Sequence, residues 1–266
     1  MTTTTSRDGT RIAFDKAGQG PAVIFVDGAL CYRASGPSAP VASLLKEHFT
    51  VFTYDRRGRG DSGNTLPYAV EREVEDIAAL MQEAGGRAML CGVSSGAALS
   101  LEAASRLPGV AKMALYEAPF IVDDTHAPLP PDFRSRLEQA VAENRRGDAV
   151  KMFLGLVGVP AFGITLMRLM PVWKKLTAVA HTLPYDITIV EPNQHGTPLQ
   201  SRRWSGATMP VLAIDGGKSP AWIRNGMKAL AAALPDSTYR TLPGQTHMVK
   251  AKVVVPVLEE FFANGR

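Results

Sequence analysis

At 266 residues, with 45% hydrophobic and 20% charged side chains, the chain is long enough to bury a full core and is not of disordered composition. Its net charge of +4 is spread along the sequence rather than gathered into a stripe interleaved with aromatics, which argues against a nucleic-acid partner. Two cysteines, Cys31 and Cys91, are too few for a disulfide framework and wrongly spaced for a metal site, so a cytoplasmic protein without metal or cofactor is expected.

The opening Met1 to Ser6 has no positive region followed by an apolar core, and a secretory leader is not expected. Arg11 to Phe14 reads as a short strand, ended by the turn-rich Lys16 to Pro21. Ala22 to Val26 is apolar on both faces, as a central parallel strand must be, and it stops at Asp27-Gly28-Ala29-Leu30. Open α/β sheets place ligands at loops leaving the carboxyl ends of such strands. Gly28 permits a sharp turn there, and the Ala29 N–H is a candidate oxyanion donor; the alternative is an ordinary strand-to-helix loop. Cys31 falls close by and is read as packing before reactivity.

Val41 to His48 is a helix and Thr50 to Tyr54 the next strand, which runs into Asp55-Arg-Arg-Gly-Arg-Gly-Asp-Ser62. The glycines mark a tight loop in which Asp55, Arg57 and Asp61 are expected to satisfy one another. A phosphate-binding loop is disfavoured because its lysine and spacing are missing. Val70 to Glu83 carries early acids and apolar residues at Val74, Ile77, Leu80 and Met81, giving an amphipathic helix.

Met89 to Cys91 end another buried strand, and from Ala97 onward small residues and leucines are spaced for a packed helix. Between them stands Gly92-Val-Ser-Ser-Gly96. A strand that turns into a helix this abruptly strains the residue at the apex, and Gly92 and Gly96 remove the collisions two positions either side. Ser94 would then present its hydroxyl at the positive end of the helix, with the Ser95 N–H aimed at an incoming oxyanion.

Lys112 to Tyr116 is a strand that reaches Glu117, after which the alternation of strand and helix lapses. From 121 to 205 the chain is rich in proline and helix formers, and an inserted helical cap is expected there, flanked by a core in two parts, 1–120 and 206–266. Met152 to Trp173 is the most apolar long run, but Pro160, Arg168 and Pro171 argue against a membrane span. Its Met152, Phe153, Phe162, Met167, Met170 and Trp173 suit the wall of an apolar substrate cavity, although most such residues simply pack helices together. Pro210 to Ile214 resumes the sheet and ends at Asp215. A helix from Pro220 to Leu234, a last strand from Thr238 to Leu242 and a closing helix from Val253 to Phe262 complete the pattern. The result is an α/β fold with a mostly parallel sheet covered by helices on both faces. A serine hydroxyl needs a neighbouring base, and His247, in the loop after the last strand, suits that role better than His48, His126, His181 or His195.

Taken together, the Asp27-Gly28 loop, Tyr54 to Ser62, Gly92 to Gly96, Pro210 to Gly216 and Gly244-Gln-Thr-His247 resemble the α/β-hydrolase superfamily over nearly the whole chain outside 121–205. The resemblance implies that Ser94 is a nucleophile, His247 its base, and Ala29 and Ser95 the amide donors. Two departures stand out. Asp27 occupies a place where the family usually has histidine, and Ser219 occupies the usual place of the catalytic acid. Some family members supply the acid from the end of the sixth strand, where Glu117 stands. Asp215 comes second, Asp123 and Asp124 after it, and a serine–histidine dyad is the remaining option.

The expected activity is hydrolysis of an ester, lactone or thioester of a mostly apolar small molecule through an acyl-enzyme on Ser94. C–C bond hydrolysis or a non-hydrolytic rearrangement, and a ligand-binding module without catalysis, are the alternatives. Dehalogenation and epoxide opening are disfavoured, because those branches of the superfamily need a carboxylate where this chain has Ser94.

Overall fold

In the computed structural model, which describes residues 1–264, eight strands form one sheet. The last two residues of the expected 206–266 segment lie outside it. In chain order the strands are β1 (Thr2–Thr5), β2 (Arg11–Ala17), β3 (Ala22–Val26), β4 (Thr50–Tyr54), β5 (Ala88–Val93), β6 (Val110–Tyr116), β7 (Val211–Gly216) and β8 (Ser237–Leu242). They lie side by side as β1-β2-β4-β3-β5-β6-β7-β8, antiparallel at the first two pairings and parallel in the other five.

Alternation along the strands explains the layers. Ile24 and Val26 of β3 face one side, where α2 (Val70–Glu83), α3 (Ser95–Ala104) and α9 (Ala221–Ala233) cover the sheet. Val23 and Phe25 face the other, against α1 (Ser38–Leu45) and α10 (Ala251–Ala263). Successive side chains point to opposite faces, so a strand buried on both sides must be apolar throughout. The expected α/β fold is therefore what the chain adopts. β1 escapes such reasoning: four threonines carry no apolar alternation, and they form a strand because the edge of β2 offers them a ladder.

Between β6 and β7 the chain leaves the sheet for α4 (Phe133–Ala142), α5 (Arg146–Leu156), α6 (Ala161–Met167), α7 (Pro171–Val179) and α8 (Leu183–Val190). These helices share an apolar cluster that also takes in Leu30 of the loop after β3. Register brings three strand ends to one level. Val93 pairs with Tyr116, and Tyr116 with Ile214, so the next residues, Ser94, Glu117 and Asp215, stand in a row along the carboxyl edge. Val26 pairs with Gly92, which places Asp27 one residue short of that row, level with Val93. Among the described residues no helix is long and apolar enough to cross a membrane.

Candidate active site

Ser94 sits at the apex between β5 and α3 with φ 56° and ψ −125°, a conformation rarely adopted by a side-chain-bearing residue. Its own N–H is tied to the Tyr116 carbonyl at 2.9 Å, and its carbonyl accepts from Ala97 at 2.9 Å, so the strain is held from both sides. Both flanking glycines are required by contact. A Cβ on Gly96 would lie 2.1 Å from the Val26 carbonyl oxygen, and one on Gly92 would lie 2.5 Å from that of Gly96. The bend seen in the sequence is thus a close approach of backbones as well as a tight turn.

Glu117 follows β6 and is likewise left-handed, at φ 49°. Its N–H bonds the Ile214 carbonyl at 3.0 Å, which anchors it to β7. The carboxylate is fully buried and saturated. Oε1 accepts from the Gly216 N–H at 2.6 Å and from the Ser219 hydroxyl at 2.5 Å, and Oε2 lies 2.7 Å from His247 Nδ1. Ser219, at the place where the resemblance implies an acid, donates its hydroxyl to Glu117 instead.

The rival carboxylates are engaged elsewhere. Asp215 accepts the Tyr239 hydroxyl at 2.5 Å, and Asp123 bonds Asn225 at 2.7 Å as well as Thr125. Of the acids considered, Glu117 is the one brought to His247. The His247 side chain is 44% exposed, open to solvent on one side and fixed by a buried carboxylate on the other.

Ser94 and His247 both line a cavity of about 320 Å³. Ala29 and Ser95 line it too, and among the described residues neither of their N–H groups donates a hydrogen bond. The remaining wall is mostly apolar, with Ile121, Leu129, Phe153, Leu156, Val190 and Trp222 among its members, and Asp186, Gln194 and His126 are its polar side chains. A larger, open depression of about 580 Å³ lies at the opposite, amino-terminal end of the strands and contains none of these groups. Among the described residues no group of three or more His, Cys, Asp or Glu side chains is placed to hold a metal ion.

Of the six apolar residues between 152 and 173 that suit a cavity wall, Phe153 reaches it and the other five do not, in line with the expectation that most such residues serve elsewhere. Met152, Met167 and Trp173 pack against the helical cluster, and Phe162 and Met170 are exposed, because the chain turns at Pro160 and Pro171 before those faces come round. Other expectations need correction. Arg57 does not pair with Asp55 and Asp61. It turns to α2 and forms a two-pronged bond with Asp76 at 2.7 and 2.8 Å, while Asp55 takes the Arg33 N–H. Cys31 does not line the cavity; burial, with Asp27 nearby, pushes its thiol up to about 12.

One group escaped the sequence altogether. Asp186 lies in the apolar run of α8, is buried, and lines the cavity beside Ser95. Its Oδ1 accepts from Arg56 and from the Ser95 hydroxyl, both at 2.7 Å, and its Oδ2 from Arg59 at 2.6 Å. Burial alone would raise its pKa, but the Arg59 and Arg56 charges with the Ser95 and Arg56 hydrogen bonds overcome this and hold it below the ordinary value. An acid inside so apolar a helix was the available signal. Asp27 behaves oppositely: burial pushes it up to about 6, against the pull of the Arg59 and Arg56 charges. Its side chain makes no hydrogen bond among the described residues.

Comparison with known proteins agrees with this architecture. A family model described as "Alpha/beta hydrolase family" matches residues 20–255. The chain is similar, at 49% identity and a TM-score of 0.90, to the crystal structure of an alpha/beta hydrolase from Sphaerobacter thermophilus, covering 98% of this chain and 100% of that one. It shares the fold of a thermophilic esterase from Thermogutta terrifontis at 19% identity and a TM-score of 0.67, over 98% of this chain and 97% of that one. The same holds for an enol-lactonase from Burkholderia xenovorans at 19% identity and a TM-score of 0.72, over 99% and 100%.

Proposed function

The chain belongs to the alpha/beta hydrolase family, and from that premise we propose that it is a serine hydrolase acting on an ester, lactone or thioester of a mostly apolar small molecule. The observation that carries the reading is the 2.7 Å contact between His247 Nδ1 and the buried Glu117, with His247 and the strained Ser94 facing one apolar cavity. A carboxylate bonded to Nδ1 leaves Nε2 as the basic nitrogen and stabilises the imidazolium once it forms.

In the proposed reaction His247 Nε2 takes the Ser94 proton as Ser94 Oγ adds to the substrate carbonyl. The oxyanion so formed is met by the N–H groups of Ala29 and Ser95, assisted by the positive end of α3. His247 then gives its proton to the departing alkoxide or thiolate as the acyl bond breaks, leaving an acyl group on Ser94. In the second half, water loses a proton to His247 while attacking the acyl carbon. Ser94 recovers its proton as the acid departs. The apolar wall favours a hydrocarbon-rich acyl part, by about 25 cal/mol per Å² withdrawn from water.

The test is labelling with a fluorophosphonate followed by peptide mass spectrometry, alongside turnover of short p-nitrophenyl esters. Labelling at Ser94 and loss of both signals in Ser94→Ala are expected. Ser94→Ala with full turnover would overturn the reading. An unlabelled but folded protein active on a diketone would favour C–C bond hydrolysis.

A further inference from the structure

Arg59 uses every nitrogen of its buried guanidinium. Nε donates to the Thr182 hydroxyl at 3.0 Å, and Nη2 to Asp186 at 2.6 Å. Nη1 donates to the carbonyl oxygens of Gly28 at 2.6 Å and of Cys31 at 3.1 Å, the two ends of the turn that contains Ala29. In that turn the Cys31 N–H lies 3.4 Å from the Gly28 oxygen, and Leu30 is left-handed at φ 61°. The Gly28 carbonyl and the Ala29 N–H belong to one peptide plane and point in opposite directions. Holding the oxygen against Arg59 therefore aims the hydrogen away from it, on the side where Ala29 lines the cavity. Arg56 acts similarly one peptide earlier, with Nη1 3.3 Å from the Asp27 carbonyl oxygen. The second donor residue is tied to the same hub, because the Ser95 hydroxyl donates to Asp186 at 2.7 Å.

We propose that Arg59, held by Asp186 of α8, is a positioning residue that orients the Ala29 amide for the oxyanion, so that one carboxylate on the helical excursion braces both donor residues. This rests on the acyl-enzyme reading above. The guanidinium fork is needed because a lysine ammonium is a single point that cannot span two carbonyls and a carboxylate in one plane. Arg59 does not line the cavity, and none of its hydrogen bonds goes to Ser94. Its effect should fall on the transition state, where the amide meets a full negative charge, and little on the ground state.

Arg59→Lys with a p-nitrophenyl butyrate assay tests this, combined with binding of butylboronic acid, which forms a tetrahedral anionic adduct on a serine hydroxyl. We expect kcat to fall about 30- to 100-fold, KM to stay within about threefold and the pH profile to keep its shape, with affinity for the boronic acid falling in parallel with kcat. A folded Arg59→Lys with kcat within about threefold of the wild type overturns the inference. So does a loss of melting temperature with unchanged boronic acid affinity. If Arg59→Lys does not fold, Asp186→Asn takes its place: the amide keeps an acceptor for Ser95 but turns a donor toward Arg59. A fall in kcat of about tenfold is expected and an unchanged kcat overturns the inference. Ser94→Ala in the same assay keeps the two ideas apart. If it retains full turnover, the acyl-enzyme reading falls and takes this inference with it; if it is inactive while Arg59→Lys is fully active, only the inference falls.

Discussion

The sheet with its strand-end loops and the helical excursion of α4 to α8 are built by different rules. On the sheet side, three arginines of one loop, Arg56, Arg57 and Arg59, are wholly buried, and each meets a buried carboxylate. The excursion leaves Phe162 of α6 78% exposed and Leu169, in the turn before α7, 83% exposed, and its helices are only seven to eleven residues long. A buried charge tolerates almost no displacement, whereas an apolar wall can be repacked at small cost. Groups that must be held to a few tenths of an ångström therefore sit on the rigid half, and groups that only need to exclude water sit on the other. Asp186 is the exception, an excursion residue recruited into the rigid network.

The largest test of this division is Ser94→Ala, which should lower kcat by about four to six orders of magnitude without unfolding the chain, read from ester turnover and a melting curve. Glu117→Gln keeps the shape but removes the charge facing His247, and should cost about 10³-fold in kcat with KM little changed. Asp215→Asn should stay within about threefold; the reverse order would move the acid to Asp215 and break the account of Ser219. On the excursion, Phe153→Ala should raise KM for a hexanoate ester about 5- to 30-fold while leaving kcat within about threefold. If kcat fell instead at constant KM, the excursion would share in the chemistry and the division would be too sharp.

The smallest effect concerns stability. Asp27 has a folded-state pKa of about 6, above its ordinary 3.8, so the folded chain binds the proton more tightly than the unfolded one. Stability from this group is therefore lost as pH rises through the interval between 3.8 and about 6, and the cost is complete above it. Asp27→Asn, which fixes the neutral form, should raise the melting temperature by several degrees at pH 7.5, corresponding to about 3 kcal/mol, and the gain should shrink as pH is lowered toward 4. A gain independent of pH would mean that ionisation of Asp27 is not its source.

The sequence was most informative where a steric or pairing rule leaves few options. Gly92 and Gly96 around Ser94 announce a backbone crowded from both sides, and a strand ending at Glu117 beside one ending at Asp215 narrows the acid to neighbours. Choosing between those two required knowing which way each carboxylate turns, and that depends on Tyr239, Ser219 and the Gly216 amide, one of them on another strand. The partners of Arg57 and the role of Asp186 lie tens of residues away along the chain, where no local pattern reaches. Which of the apolar residues between 152 and 173 would reach the cavity was not legible, because composition says that a stretch is apolar and not which way each short helix is turned.

The cavity of about 320 Å³ also bears on timing. At roughly 30 Å³ per molecule, that volume holds on the order of ten waters, and a substrate large enough to fill it must displace nearly all of them. On the proposed mechanism acylation would gain from this dryness, because charges in the transition state are poorly screened. Deacylation would then need one water back beside His247, whose side chain is open to solvent on one side. On that mechanism a longer acyl chain is expected to speed the first half-reaction by filling the space and to slow the second by the same act, so that with increasing chain length the resting form of the working enzyme would shift from free protein to acylated protein.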